Sequence, residues 1–278
     1  MAELIRDKKS LKDALKSLKG EVGFVPTMGA LHRGHIELIR RCKKENNVCV
    51  VSIFVNPEQF GANEDFEKYP RDIEKDLSIC KSEGVDIVFA PEVSEIYPTK
   101  PIILLEIPGL TDVLEGKFRP GHFRGVCIVL SKLFNLIHPK RAYFGEKDFQ
   151  QLIVVKKLVE ELGFDIDIVP VPTVRDDDGL ALSSRNAYLS KSERESARCI
   201  YQSFELMQEL FRKNLDIEEI RKRMEDFILS HKHVVGIDYI EFTDDALRGV
   251  NKLEVGHRVL IAVRFESARL IDNWEVKQ

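Results

Sequence analysis

Short apolar runs alternate along the first 170 or so residues with longer stretches whose apolar positions recur every three or four residues. Residues 22–25 form one such run, which breaks at Pro26 and passes through Gly29 into a stretch where Ile36, Leu38 and Ile39 fall at helical spacing. The expected local structure is strand, tight turn, helix. Residues 48–55 are almost continuously apolar and too short for a helix crossing a core, the pattern of a parallel strand buried on both faces, and Asn56 and Pro57 stop the run. Pro70 opens a helix that turns Ile73, Leu77 and Cys80 inward and ends at Gly84, and residues 85–89 make the next strand. Residues 126–137 read as a helix, 141–144 as a strand, 145–148 as a turn into a helix running to about Leu162, and 166–171 as the last strand. Ser10 caps an N-terminal helix with Leu11, Leu15 and Leu18 on one face, ended by Gly20. Repeated βαβ alternation predicts an α/β fold, a Rossmann-like doubly wound parallel sheet.

The alternation loosens between Pro91 and Gly125, where residues 102–107 read as extended and 119–125 as a loop carrying Arg119 and Arg124. It stops at Pro170 and Pro172, after which Asp176-Asp177-Asp178-Gly179 reads as a turn. Beyond, residues 190–213 and 216–231 look like two long helices, and 239–242, 259–265 and 269–274 like strands. The expected division is residues 1–173 as the large domain and 174–278 as a small C-terminal α+β domain, hinged near 172–179 and serving as a lid.

With 278 residues, 44% of them hydrophobic, the chain can fill the core of one large or two ordinary domains. Lysine and arginine number 42 against 46 acids, a net charge of -4, which leaves no basic excess to attract nucleic acid or a membrane surface. Five cysteines form no C-x-x-C pair and mostly sit in apolar runs, the pattern of buried free thiols in a reducing compartment. The N-terminal residues lack an apolar signal core, and no stretch of eighteen apolar residues occurs. A cytoplasmic protein is the expectation.

His32 and His35 stand three apart at the start of the first βα helix, so both imidazoles lie on one face. They adjoin the first-turn N–H groups and the positive end of the helix dipole, which can hold an anion without any lysine, and phosphate is the expected anion. Such a pair also suits a solvated helix face or zinc. The glycines at 29 and 34 and the strand-to-helix position favour phosphate. Zinc would need a third ligand nearby, and neither His122 nor His138 has ligand-like spacing.

Further stretches fall at the carboxyl ends of the predicted strands: the loop at Gln59, the turn at Lys147, and Leu182-Ser183-Ser184-Arg185 just past the boundary. Together the motifs Pro26-Thr27-Met28-Gly29-Ala30-Leu31-His32-Arg33-Gly34-His35, Phe54-Val55-Asn56-Pro57-Glu58-Gln59-Phe60, Tyr69-Pro70-Arg71, Phe144-Gly145-Glu146-Lys147-Asp148-Phe149-Gln150-Gln151 and Val174-Arg175 with Leu182-Ser183-Ser184-Arg185-Asn186 resemble the pantothenate synthetase family, within the nucleotidyltransferases that share a His-x-x-His turn. They span roughly residues 25 to 190. Arg33 stands where many members of that family have an acid.

The resemblance implies an ATP-dependent ligase in which pantoate attacks the α-phosphate to give pantoyl adenylate and pyrophosphate, and β-alanine then displaces AMP. It implies that Met28, Gly29, Ala30, Leu31, His32, Arg33, Gly34 and His35, with Gly145, Glu146, Lys147 and Asp148, line the nucleotide site. Val174, through its backbone, and Leu182, Ser183, Ser184 and Arg185 complete it. His35 would be the proton donor to the departing phosphate, with His32 and Lys147 the other catalytic groups. Gln59 and Gln151 would hold pantoate, Gln59 would also touch β-alanine, and Asn56 and Tyr69 are weaker candidates for that pocket. The resemblance further implies a homodimer and Mg2+ carried on the ATP phosphates; Asp72 and Asp76, at i and i+4, could meet the cation or lie solvated. Two rival functions stay open: a related nucleotidyltransferase acting on a phosphorylated substrate, and a non-catalytic nucleotide-binding module.

Overall fold

The computed structural model describes residues 2–61, 64 and 66–278. The chain divides into two compact units: Met1–Glu146 with Gln150–Pro172, and Lys147–Phe149 with Thr173–Gln278. The short segment at Lys147, assigned to the large domain from sequence, groups with the second unit.

The first unit runs β1 (Glu3–Ile5), α1 (Lys8–Ser17), β2 (Val22–Thr27), α2 (Arg33–Glu45), β3 (Val48–Ile53), α3 (Ile73–Ser82), β4 (Ile87–Phe89), α4 (Val93–Ile96), α5 (Glu115–Phe118), α6 (His122–Ile137), β5 (Arg141–Gly145), α7 (Phe149–Leu162) and β6 (Asp167–Val171). Its six strands lie in the order β1-β4-β3-β2-β5-β6, and every pair is parallel. The chain steps outward from β2 through β3 to β4, then returns to the other side of β2 as β5. The order therefore reverses at β2, and the crevice outside the carboxyl ends of β2, β3 and β5 is where such sheets take ligands. Val25, Cys49, Val51, Val88 and Tyr143 from the strands pack with Leu38, Ile39, Cys42 and Cys80 from the helices in one apolar cluster. Double-sided burial explains the unbroken apolar run in β3.

The second unit carries α8 (Lys191–Ser196), α9 (Cys199–Arg212), α10 (Ile217–Leu229) and the antiparallel sheet β7-β8-β9 (Val234–Thr243, Arg258–Phe265, Arg269–Glu275). Phe204, Met207, Ile220 and Met224 pack on Ile240, Phe242, Val259 and Ile261 in a core of its own.

Several boundaries differ from those expected. The first helix is capped by Asp7, whose carboxylate accepts from Ser10 N at 2.8 Å, rather than by Ser10 itself. Asp72, not Pro70, starts α3. Residues 122–125 belong to α6, whose cap Gly121 sits at φ 85°. The expected long helix 190–213 is two helices, because the turn at Ala197 tightens to an Ile200 N–Ala197 O bond. Residues 102–107 lie outside both sheets. All five cysteines are buried free thiols. Among the described residues no helix is long and apolar enough to cross a membrane.

Candidate active site

The turn that leaves β2 is tied down before it reaches α2. Thr27 Oγ1 donates to Ser52 O at 2.7 Å on the neighbouring strand and accepts from Gly29 N at 3.1 Å. Gly29 and Ala30 both take the left-handed conformation, at φ 86° and 51°. The next two amides meet a carboxylate: Ala30 N and Leu31 N donate to Asp76 at 2.9 and 2.8 Å. A Cβ on Gly29 would lie 2.8 Å from Asp76 Oδ2, so that position requires glycine both for its φ and for the approach of Asp76. Asp76 is 2% exposed; burial pushes its carboxyl up, opposed by the two N–H bonds that favour the charge.

His32 and His35 form a capping box. His32, the N-cap of α2, accepts from Gly34 N at its Nδ1 (3.1 Å), and His35 Nδ1 accepts from His32 N (3.3 Å). The rings lie 4.1 Å apart between centroids. Gly34 permits this, since a Cβ there would sit 2.9 Å from the His32 ring. A backbone N–H can only donate, so each Nδ1 is unprotonated, and a neutral ring carries its proton on Nε2 as a hydrogen-bond donor. This corrects the expected basis of anion binding. The N–H groups of Gly29, Ala30, Leu31, His32 and Gly34 are already taken within the protein, so those amides are not the donors for an anion. Arg33 is exposed and Met28 half-buried. A cavity of about 200 Å³ lined by Met28, Phe54, Arg71, Asp72 and Asp76 adjoins the turn but includes none of His32, His35, Gln59 or Gln151.

The loop leaving β3 is a 3-10 turn, Pro57–Gln59, capped by Asn56. Asn56 is 0% exposed. Its Oδ1 accepts from Glu58 N (3.3 Å) and from the Tyr97 hydroxyl (2.9 Å), and its Nδ2 donates to Gly125 O (3.1 Å) and Gln59 Oε1 (2.9 Å). Both amide hydrogens and both oxygen lone pairs are thus used, so Asn56, expected in the substrate pocket, supports Gln59 from behind. Gly125 lets α6 come this close: a Cβ there would fall 2.0 Å from Glu58 O. The carbonyl of Gln59 accepts from His122 Nδ1 at 2.9 Å, while Arg119 lies 3.3 Å from His122 Nε2 and binds Glu64 at 2.6 Å. A carbonyl only accepts and a guanidinium only donates, so His122 is the neutral Nδ1–H tautomer. Burial and the Arg119 charge push it down to about 4. Tyr69 is buried edge-on to Phe60, with ring centroids 6.1 Å apart.

At the end of β5, Gly145 leads into the 3-10 turn Glu146–Asp148 and then α7. Gln150 is buried, donates to Leu110 O and Val113 O and accepts from Glu115 N. Gln150 is therefore a buried structural latch, while Gln151 beside it is half-buried. In the second unit, Lys147 lies 3.5 Å from Asp148, and its carbonyl accepts from Asn273 Nδ2 at 2.9 Å. Val174 O pairs with Leu182 N, and Ser183 Oγ caps the 3-10 turn Ser184–Tyr188 by accepting from Arg185 N at 3.3 Å. The capping contact uses the Ser183 oxygen as acceptor and does not use its hydroxyl hydrogen.

Two supporting groups were missed or misread in the sequence. Asp76 occupies the inward face of α3 with Ile73, Leu77 and Cys80, and a carboxylate on an apolar stripe signals a specific buried partner. Asp72 merely caps α3, accepting from Lys75 N. Tyr97 carries no motif and had no local signal.

The sequence profile of the pantoate-beta-alanine ligase family matches residues 3–275. A pantothenate synthetase from Aquifex aeolicus is 52% identical over 281 residues, covering all of both chains, and one from Caldicellulosiruptor saccharolyticus is 48% identical over 95% of each. The crystal structure of pantothenate synthetase from Thermus thermophilus superposes with a TM-score of 0.94 at 44% identity over the whole of both chains. That of pantoate-beta-alanine ligase from Francisella tularensis, complexed with beta-gamma ATP and beta-alanine, has a TM-score of 0.83 at 36% identity, covering 99% of this chain and 98% of that one. The chain belongs to the pantoate-beta-alanine ligase family.

Proposed function

We propose that the protein condenses (R)-pantoate with β-alanine at the expense of ATP, through pantoyl adenylate. The pantoate carboxylate attacks the α-phosphate and pyrophosphate leaves. The β-alanine amine then attacks the acyl carbon and AMP leaves. A carboxylate, with a pKa of about 4, is already ionised at neutral pH, so the first step needs no general base. It needs two anions held in line and the charge on the phosphates offset.

The observation that carries the reading is the His32–His35 capping box, which holds both imidazoles at the carboxyl end of the central strand β2, beside β3, whose exit loop holds Gln59. His32 and His35 are assigned to the phosphates, with His35 the proton donor to the leaving group, and Lys147 supplies a cation for the same charge. Met28–His35, Gly145 and Glu146 in the first unit, and Lys147, Asp148, Val174 and Leu182–Arg185 in the second, are assigned to the nucleotide. Gln59 and Gln151 are assigned to pantoate, Gln59 also to β-alanine, with Tyr69 in the same pocket.

No three His, Cys, Asp or Glu side chains cluster as a cation cage among the described residues, and Asp72 and Asp76 are engaged by backbone amides. In this reading Mg2+ is held by the nucleotide's own phosphate oxygens, where it neutralises charge. A homodimer fits a segment outside both sheets whose Ile102 is 94% exposed, with Ile103 and Leu104 also open.

The test is release of pyrophosphate and AMP from ATP with pantoate, with and without β-alanine. AMP is expected only when both acids are present. Dependence on a phosphorylated substrate, or tight ATP binding without turnover, would replace this reading with one of its rivals.

A further inference from the structure

The Asn56 amide is anchored at both ends by backbone groups with only one possible role. Glu58 N can only donate, so the atom facing it is Oδ1; Gly125 O can only accept, so the atom facing it is Nδ2. A flip would set N–H against N–H and O against O. The Tyr97 hydroxyl fills the second lone pair of Oδ1 at 2.9 Å, and the second Nδ2 hydrogen goes to Gln59 at 2.9 Å. Gln59 must therefore accept with Oε1, which turns the other end of its amide, Nε2, a pure donor, away from Asn56.

Tyr97 is held firmly for this bond. It is the C-cap of α4 and only 8% exposed, with its ring 6.2 Å from that of Phe54 and Lys132 Nζ 5.3 Å from its centre. Burial and the neighbouring Glu58 charge raise its phenol well above the ordinary value, so it stays a neutral hydroxyl donor. Chains of buried hydrogen bonds with every member satisfied fix one orientation of the group at their end.

We infer that Tyr97 is a positioning residue: through Asn56 it locks the Gln59 amide with Nε2 outward, so that Gln59 selects ligands presenting an acceptor oxygen, such as a carboxylate or hydroxyl. This rests on the assignment of Gln59 to pantoate. It explains why an amide, with its fixed direction, stands there instead of a hydroxyl, which would rotate to suit either partner.

The test combines steady-state kinetics with a double-mutant cycle. Tyr97→Phe is expected to raise the KM for pantoate by about three- to tenfold while leaving the KM for ATP near the parent value and lowering the thermal midpoint by a few degrees at most, as loss of one buried hydrogen bond does. In a Gln59→Ala background the same change should have no further effect on pantoate, because the group it orients is gone. Gln59→Glu is isosteric but presents an acceptor where a donor is needed, so it should impair pantoate use more than Gln59→Ala does. A merely structural role predicts the reverse order. Equal, additive effects of Tyr97→Phe in both backgrounds, or Gln59→Glu milder than Gln59→Ala, would overturn the inference. Unchanged pantoate dependence in Gln59→Ala would instead overturn the assignment of Gln59 on which it stands.

Discussion

Two carboxylates of low exposure, one in each unit, are shifted in opposite directions. Asp76 on α3 is 2% exposed and Glu193 on α8 is 4% exposed. Asp76 accepts two backbone N–H groups, from Ala30 and Leu31, and burial still outweighs them, leaving its carboxyl raised. Glu193 accepts from Ser190 N and Ser267 N, both at 2.8 Å, and from the Ser267 hydroxyl at 2.7 Å. Its bonds to Ser190 and Ser267 hold it down at about 2. The balance between burial and donors decides the sign of the shift: burial leads for Asp76 and hydrogen bonds lead for Glu193. The position of each decides what it is for: Asp76 grips the turn that carries His32 and His35, whereas Glu193 closes the first turn of α8 and ties it to the β8–β9 loop.

A third group sets the scale for both. The ammonium of Lys147 lies 3.5 Å from Asp148, so the fold gains little from it. Lys147→Ala, and His35→Ala alike, should lower the single-turnover adenylation rate by about 10²-fold or more with a small change in thermal midpoint, as loss of a transition-state donor does. A decrease of less than about threefold would reject the catalytic assignment.

Asp76→Asn comes next in size. It sets an NH2 group against one of two buried N–H donors and should cost about 1–3 kcal/mol of stability, with adenylation slowed about tenfold as the His turn loosens. Glu193→Gln makes the same kind of mismatch against Ser190 N and should cost a similar amount in urea unfolding. Its adenylation rate under conditions where it is folded should stay within about twofold of the parent. Equal losses of activity in the two variants would erase the distinction.

The same contrast explains what could be read from the chain. The sheet was legible because strands covered on both faces must be apolar throughout, and β1, at three residues, was too short to give that signal. The His turn and Gln59 were legible as motifs because their geometry is local. Asp76 reaches its turn across 46 residues and Tyr97 reaches Asn56 across 41, and hydrogen bonds over such separations leave no mark on spacing. Even the cap of α1, expected at Ser10, is Asp7, because its carboxylate reaches the Ser10 N–H.

The smallest effect sharpens the comparison most, because it is a difference in sign. Glu193 has a folded-state value of about 2 against an ordinary 4.5, so its stabilising contribution is complete above 4.5 and drains away as the pH falls from 4.5 toward 2. Asp76 is shifted the other way from 3.8: the folded state binds the proton more tightly, so lowering the pH through that region favours the fold. Urea midpoints measured between about pH 6 and about pH 3.5, each relative to the parent, should therefore diverge. The deficit of Glu193→Gln should shrink on acidification while that of Asp76→Asn grows. Parallel curves would mean that the two carboxylates experience the same balance of burial and donors, and that Asp76 is held as comfortably as Glu193.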